Sequence, residues 1–220
     1  DFFLAEPDRA LVAAARAGGA VCGWQVETTG EARAAEAAGC DVVIVKGSES
    51  GGRKRIEGPG LEDLLGAVLE SVSIPVIAAG GIATADDVAA AFAAGAAGVR
   101  VGTRFIASAE SDAHPAWIEA ILAAEADDAV VSTAFNAGLP QPGPHRVLRA
   151  SIAAAEALED DAAGVVRMGG FEIEVPRFAP FPPTRESTGR VEAMPFYAGR
   201  SAGAVRAVQP AADIVADLGR

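Results

Sequence analysis

The stretch that most constrains the fold is Ile74-Pro75-Val76-Ile77-Ala78-Ala79-Gly80-Gly81-Ile82, followed by Gly98-Val99-Arg100-Val101-Gly102-Thr103-Arg104-Phe105. Each half is a short apolar run that ends in small residues. Val76 to Ala79 reads as a buried parallel strand, because a strand covered on both faces is continuously apolar and does not alternate. Gly80-Gly81 removes every Cβ where the chain turns. Thr84 and Asp87 form a capping box, so a helix starts there, and Val88 with Phe92 gives it an apolar face. Val99 to Val101 reads as the next strand, ending in Gly102-Thr103. Two consecutive strands therefore finish in glycine with exposed backbone N–H groups. Such a pair can hold one phosphate, with donors and a helix dipole facing the anion. In (β/α)8 barrels the loops after strands 7 and 8 do this, at the face where active sites lie. The expectation is a chain built around a phosphate cradle. The alternative is a pair of glycine turns used only for packing.

The rest of the first half repeats the alternation. Pro7 opens a helix with Leu11, Val12 and Ala15 on one face, and Gly18-Gly19 ends it. Ala20 to Val26 reads as a strand. Thr28 and Glu31 make a second capping box for a helix running to Ala38, stopped by Gly39. Asp41 to Val45 reads as a buried strand, and Lys46 to Gly60 as a glycine-rich charged loop. Leu61, Leu64, Leu65, Val68, Leu69 and Val72 follow at helical spacing. Strand alternating with helix argues for parallel strands joined by right-handed crossovers. After Phe105 the pattern changes. Helices are expected over 114–124 and 146–156, with Val130 to Phe135 open to an extended reading. Phe171 to Val175 alternates as an exposed strand does, the proline-rich 176–183 is irregular, and a last helix begins near Pro210.

Composition narrows the function classes. Half of the 220 residues are hydrophobic, so a sizeable core is expected, and the net charge of −12 disfavours a nucleic-acid surface. Cys22 and Cys40 have no CxxC or metal spacing and read as reduced core thiols of a cytoplasmic protein; no metal site is expected. No apolar run reaches the length of a membrane span. No GxGxxG follows a strand with an acid about twenty residues on, so the double glycines are not a dinucleotide fingerprint.

Three motifs in order carry a resemblance: Val45-Lys46-Gly47-Ser48-Glu49-Ser50-Gly51-Gly52, then Pro75 to Ile82, then Gly98 to Phe105. Together they resemble the nitronate monooxygenase family, formerly called 2-nitropropane dioxygenases, related to the FMN-dependent enoyl-acyl-carrier-protein reductases. Met194-Pro195-Phe196-Tyr197-Ala198-Gly199-Arg200 also looks like that family's C-terminal region. The resemblance implies a TIM (β/α)8 barrel that binds FMN. It places Asp1 to Leu4 at about the fourth strand, so that the first three strands would be absent. The barrel part would cover 1–107, with a mostly helical extension over 108–220. The open strand edges would allow pairing with another chain, and a homodimer is one form of that.

The resemblance further implies that Gly80, Gly81, Gly102 and Thr103 hold the FMN phosphate, with Arg100 and Val101 on the same strand and Lys46 and Gly51 near the flavin. Two positions depart from the family. Lys46 stands where glutamine is usual, and Arg53 stands where the family has the histidine of an AGGH motif. That histidine is placed to take a proton beside the nitro group. Arginine stays protonated and cannot be a general base, but it can bind a nitronate or carboxylate through two N–H groups. Arg53 is thus expected as an anion anchor in the catalytic site, against a reading as a solvated loop charge. Lys46 near the flavin N1–C2=O edge would stabilise the reduced anionic flavin, against a reading as a lysine snorkelling from the rim. Glu49 reads as a partner for Arg53 or a loop acid. His114 and His145 both read as structural residues at helix starts, Trp24 and Trp117 as core, and Tyr197 to Arg200 as a loop that covers the site or only turns.

The expected function is FMN-dependent oxidation of alkyl nitronates by O2, the partners being a small anionic substrate and O2. The alternatives are an NAD(P)H-dependent FMN enoyl reductase, a non-catalytic flavin- or phosphate-binding barrel remnant and, more weakly, a phosphosugar-handling barrel.

Overall fold

The computed structural model describes residues 1–3, 5–54 and 58–220. In chain order its elements are α1 (Arg9–Ala17), β1 (Gly23–Val26), α2 (Thr29–Ala38), β2 (Val42–Lys46), β3 (Gly52–Arg53), α3 (Leu61–Leu69), β4 (Val76–Ala79), α4 (Ala85–Ala93) and β5 (Gly98–Arg100). There follow α5 (Thr103–Ile106), α6 (Pro115–Ala123), β6 (Ala129–Ser132), β7 (His145–Leu148), α7 (Arg149–Glu156), β8 (Ala162–Met168), β9 (Phe171–Pro176), β10 (Thr188–Gly189) and α8 (Ala211–Leu218). They form two compact units, Asp1–Ser50 with Arg55–Val101, and Gly51–Lys54 with Gly102–Arg220.

The first unit is α/β. Its sheet has the order β1-β2-β4-β5 with every pair parallel. Strand order follows chain order without reversal, as in a segment of a barrel wall; a doubly wound sheet would reverse at a switch point. Asp1 to Phe3 runs alongside β1: Phe2 bridges Trp24 in parallel, and their rings stack at 4.7 Å. The helices form where the capping chemistry predicted. Thr28 and Glu31 exchange side-chain-to-backbone bonds ahead of α2, as Thr84 and Asp87 do ahead of α4. The core comes from strand residues buried on both faces, with Val43, Ile44 and Val45 consecutive and all buried, and from Leu64, Leu65 and Val68 of α3.

The second unit is mixed, which corrects the expectation of a mostly helical extension. Beside its helices it holds two three-stranded antiparallel sheets, β3-β7-β6 and β10-β8-β9. The alternating Phe171 to Val175 is β9 as expected, but its partner β8 has no alternation to reveal it. Gly164 permits β10 to join β8: at φ +149 it has no Cβ, and a Cβ there would lie 2.0 Å from the Thr188 carbonyl oxygen. His145 to Leu148 also differs from expectation. Instead of opening a helix it forms β7, with all four residues buried. Flanking strands on both sides consume its backbone groups, and this tertiary pairing overrides the helical tendency of the alanine-rich segment after it. Two clusters fill this unit. One holds Trp117, Ile121, Leu148, Phe196 and Val205; the other holds Phe135, Val147, Leu158, Val166 and Met194.

Candidate functional site

In the first unit the parallel strands bring four chain exits to one edge of the sheet. Glu27 follows β1, Lys46 ends β2, Gly80 follows β4 and Val101 follows β5. Lys46 Nζ lies 3.7 Å from Glu27 Oε1, with the two side chains only 13% and 7% exposed. Lys46 is therefore not a snorkelling rim lysine: its ammonium sits inside, opposite a carboxylate. The Glu27 backbone N–H donates to Glu31 Oε2 at 2.6 Å, which ties the strand exit to the first turn of α2. Glu27 was not singled out from sequence. The available signal was a carboxylate directly after an apolar strand, next to a second strand that ends in lysine.

Gly80 and Gly81 both have positive φ, +110 and +77. A Cβ on Gly80 would meet Ser50 Cβ at 3.0 Å, and one on Gly81 would meet Glu49 Cβ at 3.2 Å. The double glycine thus has a packing reason of its own, whatever else it binds. Gly80→Ala is expected to cost about 1–3 kcal/mol from backbone conformation alone, read as a drop in urea midpoint at unchanged m; a drop smaller than that of an exposed helix substitution would contradict the assigned conformation. A cavity of about 360 Å³ opens beside the pair, lined by Glu49, Leu61, Leu65, Ile82 and Asp87. Arg100 pairs with the Asp1 carboxylate at the surface, and Val101 is half-buried.

In the second unit, Gly51, Thr103 and the 196–199 segment meet. A Cβ on Gly51 would lie 2.6 Å from Ala198 C and Gly199 N, so only glycine allows the two backbones to approach. Thr103 Oγ1 accepts the Gly199 N–H at 2.9 Å, which leaves the hydroxyl proton to be donated elsewhere. A Cβ on Gly102 would meet nothing within 4 Å, so that position has room for a ligand group. Arg53 on β3 donates through Nη1 to Asn136 Oδ1 (3.3 Å) and through Nη2 to the Gln141 carbonyl (2.9 Å). Asn136 also binds the Thr133 and Gly143 carbonyls and the Gly143 N–H. Arg53 is therefore a held group and not a solvated loop charge. Glu49, in the first unit, accepts the Leu61 N–H at 3.0 Å.

Opposite Arg53 in the β3–β7 register stands His145, which is fully buried. Its Nε2 accepts the Phe135 N–H at 3.2 Å, so the neutral ring carries its proton on Nδ1, which has no hydrogen-bond partner among the described residues. Tyr197 packs edge-on to the ring at 5.9 Å. Burial pushes the His145 pKa down from its ordinary value; the nearby Gly143 backbone opposes this, and the Arg53 charge reinforces it. Burial also pushes the Tyr197 hydroxyl up to about 12. For His145 the unfolded chain takes up a proton first as pH falls. Stability is then constant above about pH 6.5 and declines by roughly 1.4 kcal/mol per unit below it until the folded state also protonates. His145→Gln, which keeps an acceptor for Phe135, is expected to flatten that slope in urea titrations at pH 5 to 7; superimposable profiles would contradict it. His114 has the capping role expected of it, with Nδ1 accepting the Ala116 N–H at 3.1 Å.

The profile of one family, described as nitronate monooxygenase, matches residues 1–220. The chain belongs to the nitronate monooxygenase family. A (3aS,4S,5R,7aS)-5-hydroxy-7a-methyl-1-oxo-octahydro-1H-indene-4-carboxyl-CoA dehydrogenase of Mycobacterium tuberculosis is 39% identical over 154 residues, 68% of this chain and 41% of that protein. Among solved structures, FabK from Thermotoga maritima superposes with a TM-score of 0.73 at 31% identity, covering 99% of this chain and 65% of that one. A nitroalkane oxidase from Streptomyces ansochromogenes superposes with a TM-score of 0.71 at 30% identity, covering 96% and 60%. The chain spans about two fifths of the length of the curated relatives matched first.

Within this nitronate monooxygenase family member, the fit to FMN can be tested residue by residue. Gly102 has open space at its Cα, and Thr103 keeps a donor, so this stretch suits a phosphate. Lys46 offers an ammonium that faces the Glu27 carboxylate at 3.7 Å. Among the described residues no group of three or more His, Cys, Asp or Glu could hold a metal ion, and no helix is long and apolar enough to cross a membrane.

Proposed function

We propose that the chain is part of an FMN-dependent oxidoreductase that oxidises alkyl nitronates with O2. The observation that carries this reading is the pairing of β4 with β5. Ala78 faces Val99 and Ala79 faces Arg100 in parallel register, so two glycine-ended strand exits leave the sheet as neighbours. In this reading Gly80, Gly81, Gly102 and Thr103 bind the phosphate, Arg100 and Val101 line the same strand, and Lys46 and Gly51 lie near the ring. FMN, when bound, supplies an electron acceptor that O2 can reoxidise. Arg53 binds the substrate anion and takes no proton from it.

A second reading has an acyl thioester as substrate and a nicotinamide cofactor as electron donor. The carboxyl-CoA dehydrogenase relative and the enoyl reductase FabK favour it. Anaerobic mixing of the flavin-loaded, full-length protein with NADH separates the two. Slow bleaching by NADH and fast bleaching by a nitronate supports nitronate oxidation; the reverse order supports the thioester reading.

A further inference from the structure

β7 carries a buried titratable side chain, His145, and the loop from β6 to β7 closes against it. His145, Phe135, Asn136, Phe178, Tyr197 and Arg53 all belong to the second compact unit. β6 ends at Ser132, and three residues on, the Phe135 N–H donates to His145 Nε2 at 3.2 Å. Phe135 is fully buried, so water does not replace that acceptor, and a buried amide left without one is costly. The next residue, Asn136, accepts Arg53 Nη1 on its Oδ1 at 3.3 Å, and the Gln141 carbonyl of the same loop accepts Nη2 at 2.9 Å. On its other side the loop is braced by Phe178, whose carbonyl accepts the Ala137 N–H at 2.9 Å while its own backbone stands at φ +64. A bulky residue in the left-handed region is strained, and such strain persists only where the surroundings impose it. The loop therefore rests on two supports. One depends on the protonation state of an imidazole, and the other is held under strain.

We propose that His145 is a pH-sensitive latch on the 133–143 loop: the neutral ring accepts the Phe135 N–H and keeps the loop closed on Arg53, while the protonated ring cannot accept it and the loop opens. An imidazolium carries hydrogen on both nitrogens, so N–H would face N–H at that contact. Opening also gives Phe178 a way out of its strained conformation. The groups that face the ring set where the latch turns over. β3 presents Arg53, its register partner and a permanent cation. β6 presents the uncharged Ser132. The loop presents the Phe135 ring at 5.9 Å, and the 196–199 segment presents Tyr197 edge-on at 5.9 Å, its hydroxyl pushed up to about 12 and hence neutral. Burial holds the His145 pKa below the ordinary histidine value; the Gly143 backbone opposes this, and the Arg53 charge reinforces burial. What opening does to an anionic substrate rests on the reading of Arg53 as the anion anchor; the latch itself does not.

The test is an NMR titration of the isotope-labelled, full-length protein from about pH 8 down to about pH 4.5, with the His145 ring assigned through its contact with Tyr197. The ring is expected to titrate in the folded protein with a midpoint below about 6.5. The Phe135 amide and the Asn136 side-chain NH2 should shift with the same midpoint. Hydrogen-exchange protection at Phe135 should fall at least about fivefold through it, the lower end of what an orphaned buried donor costs. Protection at Val147, inside β7, should not change. In His145→Gln, which keeps an acceptor, the Phe135 and Asn136 signals should be flat; if that variant does not fold, the wild-type titration decides alone. A ring still neutral at about pH 5 in the folded protein overturns the latch. So do Phe135 and Asn136 signals that fail to follow the ring, and so does protonation that appears only together with loss of Val147 protection, which is global unfolding. Isobutyrate, a carboxylate shaped like propane-2-nitronate, then probes the anchor: its Kd, corrected for ionisation, should rise at least about fivefold across the midpoint. Absent or pH-independent binding in a protein whose loop opens counts against Arg53 as the anion anchor and leaves the latch standing.

Discussion

Lys46→Met is expected to destabilise the first unit by about 3–5 kcal/mol at pH 7, the cost of breaking a buried ion pair by removing one member. Methionine keeps the length and volume of the lysine stem, so the loss reports the charge and not a cavity. The penalty applies because both side chains are shielded, at 13% and 7% exposure; an exposed pair would be worth under about 1 kcal/mol. Adding Glu27→Gln should restore most of the loss, because the remaining buried group is then neutral. Urea unfolding of wild type, Lys46→Met, Glu27→Gln and the double variant at one pH measures this. A single-variant loss under about 1 kcal/mol would mean that water screens the pair.

The second large effect concerns Arg53. If the full-length enzyme oxidises nitronates, kcat/KM for a preformed nitronate should exceed that for the neutral nitroalkane by at least about a hundredfold, the usual contribution of a positioned general base, which Arg53 cannot supply. Arginine holds its proton at any working pH, and the guanidinium here is committed to Asn136 and Gln141. Arg53→His should narrow the ratio by raising the nitroalkane rate while lowering nitronate affinity. It should also loosen the 133–143 loop by about 1–3 kcal/mol, since two bonds from a charged donor are lost. Steady-state kinetics with nitroalkane and nitronate at one pH checks the ratio. Equal turnover of both would show that another group takes the proton, and His145 is excluded from that part by its burial and its bond to Phe135.

Much of the first unit was legible because its signals are local. Thr28 with Glu31, and Thr84 with Asp87, fix two helix starts by chemistry confined to four residues. Val76 to Ala79 is a strand whatever surrounds it, since four apolar residues between a proline and two glycines have little other use. The second unit was harder because its strands are specified by partners. Ala162 to Met168 has no period of its own and is a strand because β9 and β10 flank it. His145 to Leu148 looked like the approach to an alanine helix and became a central strand between β3 and β6.

The candidate site divides in the same way. Its glycines were found from spacing, and the structure gives Gly51 and Gly80 packing duties that spacing could not reveal. Glu27 went unnoticed because its meaning depends on Lys46, nineteen positions away in sequence and 3.7 Å away across two strands. Arg53 was visible as a departure from the family pattern, but its hold on Asn136 was not, because that contact joins residues 83 apart.

The most direct test of the account is the absorption spectrum of the protein, purified at its full natural length and passed through gel filtration after incubation with FMN. The account predicts the two bands of oxidised flavin, one near-ultraviolet and one blue, co-eluting with the protein and weakened by Gly102→Val, which would fill the space beside the proposed phosphate. A colourless protein peak with all FMN eluting separately would contradict it, and would leave the family membership without the family's cofactor.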